Sequence, residues 1–375
     1  MKSILKLSTV PMYGILLFLV SCSQLQTVTV QKKEHLTPSD LNATKETIAL
    51  MNNLNKLSGK NILFGHQDAT SYGVNWKKGD FRSDAKDVTG KYPAVFGWEL
   101  SKLENDSPLN IDSVSFSDMK KWIVMAYEKG GVNTISWHMD NPKTGGNAWD
   151  VTPAVSTILP GGEKHELFKR SLDKVADFLL SLKDKNGVYV PIIFRPWHEN
   201  DGNWFWWGNA QTSREDYLEL WKFTVQYLRD VKNIHHLLYA YSWSDFPDEA
   251  TYLSKYPGDK WVDVLGTDNY GLIQGNSLEE LRILSTLALT RGKLAALTEG
   301  GDESVKTDKF FTEKFLNPVK NDERAKYIVY MLVWRNANTK HHYVPYPGHK
   351  AVEDFKKFEQ DETTLFLEDL PDLYK

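Results

Sequence analysis

The chain holds a single cysteine, Cys22, among its 375 residues, so it can form no intramolecular disulfide and build no paired-cysteine metal site. It also lacks a block of like charge. Its 45 basic and 49 acidic residues are interspersed for a formal net charge of −4, which argues against nucleic acid or an anionic surface as partner. Long apolar runs are scarce, and the one near the start, Met12 to Val20, is too short to span a bilayer. No HExxH helix, closely spaced carboxylate loop, dinucleotide fingerprint or phosphate-cradling glycine loop occurs, so neither a metal nor a cofactor is expected. A G-x-S-x-G elbow is missing as well, which removes support for a serine hydrolase. After residue 40 there is no repeat, low-complexity tract or Pro/Gly-rich linker, so one domain is expected.

What is present begins with a targeting pattern. Lys2 and Lys6 precede the apolar run, and Leu19-Val20-Ser21-Cys22 closes it. The ending resembles a bacterial lipobox, in which the cysteine becomes the lipidated first residue. Residues 1–22 are therefore expected to be a lipoprotein signal peptide, 23–37 a polar tether, and 38–375 the catalytic domain. A monomer anchored in the cell envelope by lipid at Cys22, on an undetermined face of the outer membrane, is the expected form.

Eight short apolar, β-rich runs recur: Ile62 to Gln67, Ala94 to Leu100, Val132 to Asp140, Val188 to Glu199, His235 to Trp243, Val262 to Tyr270, Lys293 to Gly300 and Ile328 to Asn336. Amphipathic stretches alternate with them, clearest at Phe116 to Lys129, Glu163 to Lys185, Ser213 to Val231 and Ser277 to Thr290. Ser213 and Ser277 each precede acidic residues and read as helix starts. Alternation of this kind makes a parallel sheet, and eight strands fit a closed (β/α)₈ barrel of the α/β class. A further helix, Pro38 to Leu57, precedes the first strand and is expected on the outer or lower face.

Functional side chains of such barrels gather at the carboxyl ends of the strands. Here the polar residues fall there: Glu99, His138 with Asp140, Arg195 with His198 and Glu199, Asp268 with Tyr270, Glu299, and Trp334 with Arg335. Glu199 and Glu299 end the fourth and seventh strands, which suits a glycoside hydrolase with two carboxyls across a barrel mouth. Glu199 runs into the aromatic loop Trp204-Phe205-Trp206-Trp207, where desolvation keeps a proton available for acid/base work. Glu299, followed by Gly300 and Gly301 and within reach of Tyr270, is the candidate nucleophile. Glu99, Asp140, Asp268, Asp302 and Glu303 compete with them, as sugar contacts or helix caps. His138 and His198 are expected as neutral, orienting imidazoles. Arg195 either positions a carboxylate or forms a plain structural pair. Of the 13 tryptophans, Trp98, Trp137, Trp197, Trp243 and Trp334 sit at strand ends, a placement that core packing alone does not readily explain. Trp204 and Trp334 are candidate sugar platforms, and at most one of Trp206 and Trp207 faces the cleft.

With these residues assembled, the chain resembles glycoside hydrolase family 26 from about His66 to Arg335. The resemblance rests on Gly65-His66-Gln67, Ser136-Trp137-His138 with Asn141-Pro142, Arg195-Pro196-Trp197-His198-Glu199-Asn200 with Gly202 and Trp204 to Gly208, Asp268-Asn269-Tyr270, Thr298-Glu299 and Trp334-Arg335. It implies a retaining endo-β-1,4-mannanase with Glu199 as acid/base, Glu299 as nucleophile and Tyr270 beside the nucleophile. It further implies that His138, His198, Trp149, Trp204 and Trp334 shape the subsites around the cleaved bond, with Asp268 and Arg335 contacting the sugar beyond. Mixed-linkage β-glucan, β-1,3-xylan or mannobiose release from chain ends are the alternatives inside the family. A non-catalytic glycan-binding protein is the alternative outside it, and the retained pair of glutamates argues against that.

Overall fold

In the computed structural model, which describes residues 31–77 and 79–375, the eight apolar runs become eight strands. They are β1 (Ile62–Gln67), β2 (Val95–Glu99), β3 (Val132–Trp137), β4 (Ile192–Pro196), β5 (Leu237–Trp243), β6 (Val264–Tyr270), β7 (Leu294–Gly301) and β8 (Ile328–Val333). Each pairs in parallel with its neighbour in the chain, and β8 returns to β1 with Leu63 opposite Tyr330 and His66 opposite Val333. The sheet thus closes into a (β/α)₈ barrel. Nearly every strand residue is buried, as expected when one side of a parallel sheet faces the barrel interior and the other a layer of helices.

The helix before the barrel, α1, is shorter than expected. It spans Lys45–Leu57, and Thr44 accepts from Thr47 N at its start. Residues 38–43 instead form a turn in which Ser39 donates through N and Oγ to Asp263. Leu50, Met51 and Leu54 of α1 pack among Leu63, Val95, Val132, Leu238, Val264 and Leu294, residues at the amino ends of six strands. The helix therefore plugs the lower mouth of the barrel. The packed domain also starts before residue 38: Leu36 is buried and its N donates to Asn52 Oδ1 of α1. Cys22 and the run before it lie outside the described residues.

Two cap expectations divide. Ser213 caps the helix Arg214–Gln226 by accepting from Asp216 N, whereas Ser277 lies inside the helix Asn276–Arg291. Its hydroxyl donates instead to Asn269 Oδ1, 3.1 Å away, just past the barrel rim.

The strand-end tryptophans are a plain correction. Trp98, Trp137, Trp197 and Trp243 are all core. Strand side chains alternate between the barrel interior and the helix layer, and Trp137 and Trp197 pack on each other, with Phe168 of the helix His165–Leu180 against Trp197. Their indole N–H groups are satisfied internally, Trp98 by Asn133 and Trp197 by Thr224. Trp206 and Trp207 are both buried too, donating to Met139 O and His198 O, so neither faces the cleft. Of the strand-end set only Trp334 is left partly exposed.

Candidate active site

On the β2 and β3 side, the Glu99 carboxylate is enclosed and receives four hydrogen bonds, from Ser101 N, Ser136 Oγ, His138 N and His138 Nδ1. Burial disfavours its charge, but the His138 charge and these donors prevail and hold it down at about 2. The same contact raises His138, whose own burial acts the other way. His198 moves oppositely: burial, then the charges of Arg195 and His138, push it well below its ordinary value. The two histidines are thus shifted in opposite directions, His138 up and His198 down. Their Nε2 atoms lie 3.1 Å apart, so one imidazole donates to the other.

Across the mouth, Arg195 on β4 joins β6 to β7. Nη1 donates to Asp268 Oδ2 at 2.6 Å and Nη2 to Glu299 Oε2 at 2.5 Å. Burial acts against the guanidinium charge, and the two carboxylates more than offset it, so Arg195 is raised and stays cationic. Asp268 also accepts from Ser242 Oγ and Thr298 Oγ1, and its side chain is fully enclosed. It anchors Arg195 and also lines the cleft beside Glu199 and Tyr270. Glu299 has its second oxygen, Oε1, 2.6 Å from the Tyr270 hydroxyl, so its two oxygens accept from donors on β4 and β6.

Glu199 is held differently. The backbone turns sharply after β4, with positive φ of 52° at both Trp197 and Glu199, and Glu199 N donates to Ser242 O on β5. This twist brings Glu199 to the rim, where its carboxyl has one hydrogen-bond partner among the described residues, Trp204 Nε1 at 2.7 Å. Burial first, then the Glu299 and Asp268 charges, push the carboxyl well above its usual range, against smaller pulls from Trp204 and Arg195.

A cleft of about 590 Å³ opens beside Glu199, Trp204 and Tyr270 and runs over Ser244, Asn269 and Ser277. Trp149 is 46% exposed and stacks on His138 at 5.3 Å and 14°. Trp334 follows β8, its N donating to Gly300 O. Arg335 reaches Asp112 at 3.0 Å and the Tyr72 hydroxyl at 3.4 Å. Tyr72 and Asp112 were not legible as site residues, since Tyr72 opens a two-residue strand, Tyr72–Gly73, and Asp112 stands in a loop, with no motif around either. Among the described residues, no group of three or more His, Cys, Asp or Glu side chains is arranged to hold a metal ion.

Comparison with known proteins agrees with this geometry. The model for glycosyl hydrolase family 26 matches residues 39–349. A mannan endo-1,4-beta-mannosidase of Bifidobacterium adolescentis is 37% identical over 357 residues, which cover 87% of this chain and 35% of that protein. Mannan endo-1,4-beta-mannosidase A and B of Caldalkalibacillus mannanilyticus is 27% identical over 81% of this chain and 58% of its own length. The chain thus spans between about one third and three fifths of these two relatives. Among solved structures, a GH26 beta-mannanase from Bacteroides ovatus superposes with a TM-score of 0.84 at 42% identity, covering 88% of this chain and 98% of that one. An endo-beta-1,4-mannanase double mutant from Cellulomonas fimi gives a TM-score of 0.85 at 38% identity over 91% and 80% of the two chains. With the family match running from before α1 to beyond β8 over this barrel and its pair of rim glutamates, the chain belongs to glycosyl hydrolase family 26.

Proposed function

We propose that this chain is a retaining endo-β-1,4-mannanase that cleaves internal bonds of mannan, glucomannan or galactomannan, with Glu199 as acid/base and Glu299 as nucleophile. The observation that carries this reading is the unequal treatment of two carboxyls at one barrel mouth. Glu199 is desolvated and bonded by a single N–H, whereas Glu299 accepts from a guanidinium and a phenol. A group kept protonated beside a group surrounded by donors is the division that double displacement requires.

In the first step Glu299 forms a bond to the anomeric carbon while the glycosidic C–O bond breaks and the leaving oxygen takes the Glu199 proton. In the second, water attacks the same carbon, gives its proton to Glu199, and the Glu299 ester bond breaks. Arg195 and Tyr270 orient the attacking carboxylate and disperse its charge, and Asp268 fixes Arg195. Trp149, Trp204 and Trp334 offer ring faces to pyranose C–H edges, with His138, His198 and Arg335 lining the subsites. The relatives and solved structures named above are described as mannanases, which supports β-mannan as the substrate class. The lone cysteine after Leu19-Val20-Ser21 supports lipid anchoring to a bacterial envelope through Cys22.

The test is product analysis on mannohexaose, with the anomer followed by NMR. Mannobiose to mannotetraose, released first as β-anomers, is the expected result. Cleavage of mixed-linkage β-glucan or β-1,3-xylan in place of mannan would overturn the substrate, and first-formed α-anomers would overturn the mechanism.

A further inference from the structure

We infer that Trp204 is a positioning residue for the acid, its indole N–H fixing the proton of Glu199 on Oε1, an assignment that rests on the acid/base role proposed above for Glu199. A sugar platform needs only a ring face, so a stacking role leaves the direction of the N–H undetermined. Here it is determined. Trp204 Nε1 lies 2.7 Å from Glu199 Oε2, and Oε1 has no hydrogen-bond partner among the described residues. An indole N–H can only donate. In a protonated carboxyl the carbonyl-type oxygen is the better acceptor, so Oε2 takes that form and the proton resides on Oε1, the atom free to reach a leaving group.

The loop is built to hold the ring in this pose. A Cβ on Gly202 would lie 2.4, 2.5 and 2.6 Å from Trp204 Cζ2, Cε2 and Cη2, so the indole rests on the bare Cα of Gly202 and no other residue leaves room for it. Gly202 is tied in turn: its N donates to Glu199 O at 3.1 Å and its O accepts from Asn209 N at 2.8 Å. The segment that carries the acid therefore also carries the seat of the ring that orients it. Trp204 nonetheless remains 42% exposed, leaving a face for sugar. Trp149, similarly exposed, has no such bond: its Nε1 has no partner among the described residues, and it rests on His138 through its face.

The two roles of Trp204 separate by substitution. Trp204→Phe keeps an aromatic face and removes the N–H. Trp204→His keeps a ring nitrogen at the same number of bonds from the backbone and removes most of the face. For Trp204→Phe on mannopentaose, kcat should fall about ten- to a hundredfold, the loss of one hydrogen bond to a charged or charging group. The alkaline limb of kcat/KM should move to higher pH, since a donor that favours the carboxylate is gone. On dinitrophenyl β-mannobioside, whose leaving group needs no proton, the phenol burst should keep its wild-type rate. Trp204→His should restore the pH limb while KM for mannopentaose rises. Gly202→Ala, which tips the ring from its seat, should move the limb as Trp204→Phe does.

An unmoved alkaline limb in Trp204→Phe, or equal losses on natural and activated substrates, overturns the inference and leaves stacking alone. Failure of the underlying role is a separate result. Glu199→Ala would then show no phenol burst on the same aryl substrate, whatever the Trp204 variants do.

Discussion

Arg195 Nη2 lies 2.5 Å from Glu299 Oε2 while Nη1 of the same guanidinium lies 2.6 Å from Asp268, so one enclosed cation serves two enclosed carboxylates. Removing it leaves both charges without their partner. Arg195→Met should destabilise the domain by about 3 to 5 kcal/mol, the usual cost of breaking a buried pair from one side, and abolish turnover. Arg195→Lys keeps the charge but cannot fork between β6 and β7, so it should retain most of the stability and little of the activity. Denaturant unfolding alongside kcat measures both, and an unfolding midpoint unchanged in Arg195→Met would show that the network is not structural.

The two glutamates should fail in different ways. Glu299→Ala should be inactive on every substrate, including activated aryl mannobiosides, because no glycosyl-enzyme can form. Glu199→Ala should give a burst of phenol from an aryl mannobioside followed by slow turnover that azide accelerates, yielding the β-glycosyl azide. An α-azide from Glu199→Ala, or rescue confined to Glu299→Ala, would reverse the assignment or indicate inversion.

Stability should carry a signature of Glu99 and His138. Glu99 is lowered from an ordinary 4.5 to about 2, so its contribution is present above 4.5 and is lost as pH falls toward 2. His138 is raised from an ordinary 6.5, so its contribution is full below 6.5 and is lost as pH climbs through the raised value. The stability difference between wild type and Glu99→Gln should accordingly be greatest from about 4.5 to 6.5 and shrink on both sides. A difference that is flat from pH 3 to 9 would mean that the pair does not titrate as a pair.

Exposed and buried tryptophans should separate cleanly. Trp149→Ala and Trp334→Ala should each cost about 1 to 3 kcal/mol in kcat/KM on long substrates, the scale of covering one aromatic side chain. For half-exposed Trp149, the change in unfolding free energy should stay within about 0.5 kcal/mol. Trp197→Ala, by contrast, opens a void against Trp137, Trp206 and Trp207 and should destabilise by about 3 to 5 kcal/mol. Comparable stability loss in Trp149→Ala would assign that ring to the core.

Cys22→Ser should release the full-length protein to the soluble fraction after cell disruption. Retention with washed membranes would remove the lipid anchor from the account.

The barrel was legible because each strand announces itself twice, by an apolar run and by a polar residue at one end only. Glu199 and Glu299 stand out for the same reason. What stayed hidden depends on which way a side chain points at a strand end. Trp137 and His138 are adjacent, yet one enters the helix layer and the other the cleft, and composition does not tell them apart. Partners distant in the chain were hidden as well: Arg195 and Asp268 are 73 positions apart, and neither motif announces the pair they form. The Ser277 cap misled because its hydroxyl found Asn269 across the rim, a competitor that local spacing does not reveal.

The plug at the lower mouth has a bearing on access. Leu36 and α1 lie against the amino ends of the strands, and the last residues close on the same side, where Asn53 Nδ2 donates to Leu373 O and Lys375 O. Glu199 and Glu299 stand at the opposite end. Leu36, α1 and the segment 373–375 therefore lie on the face of the barrel away from the cleft. A long polymer can therefore be laid across the open end of the barrel without meeting α1 or the segment 373–375.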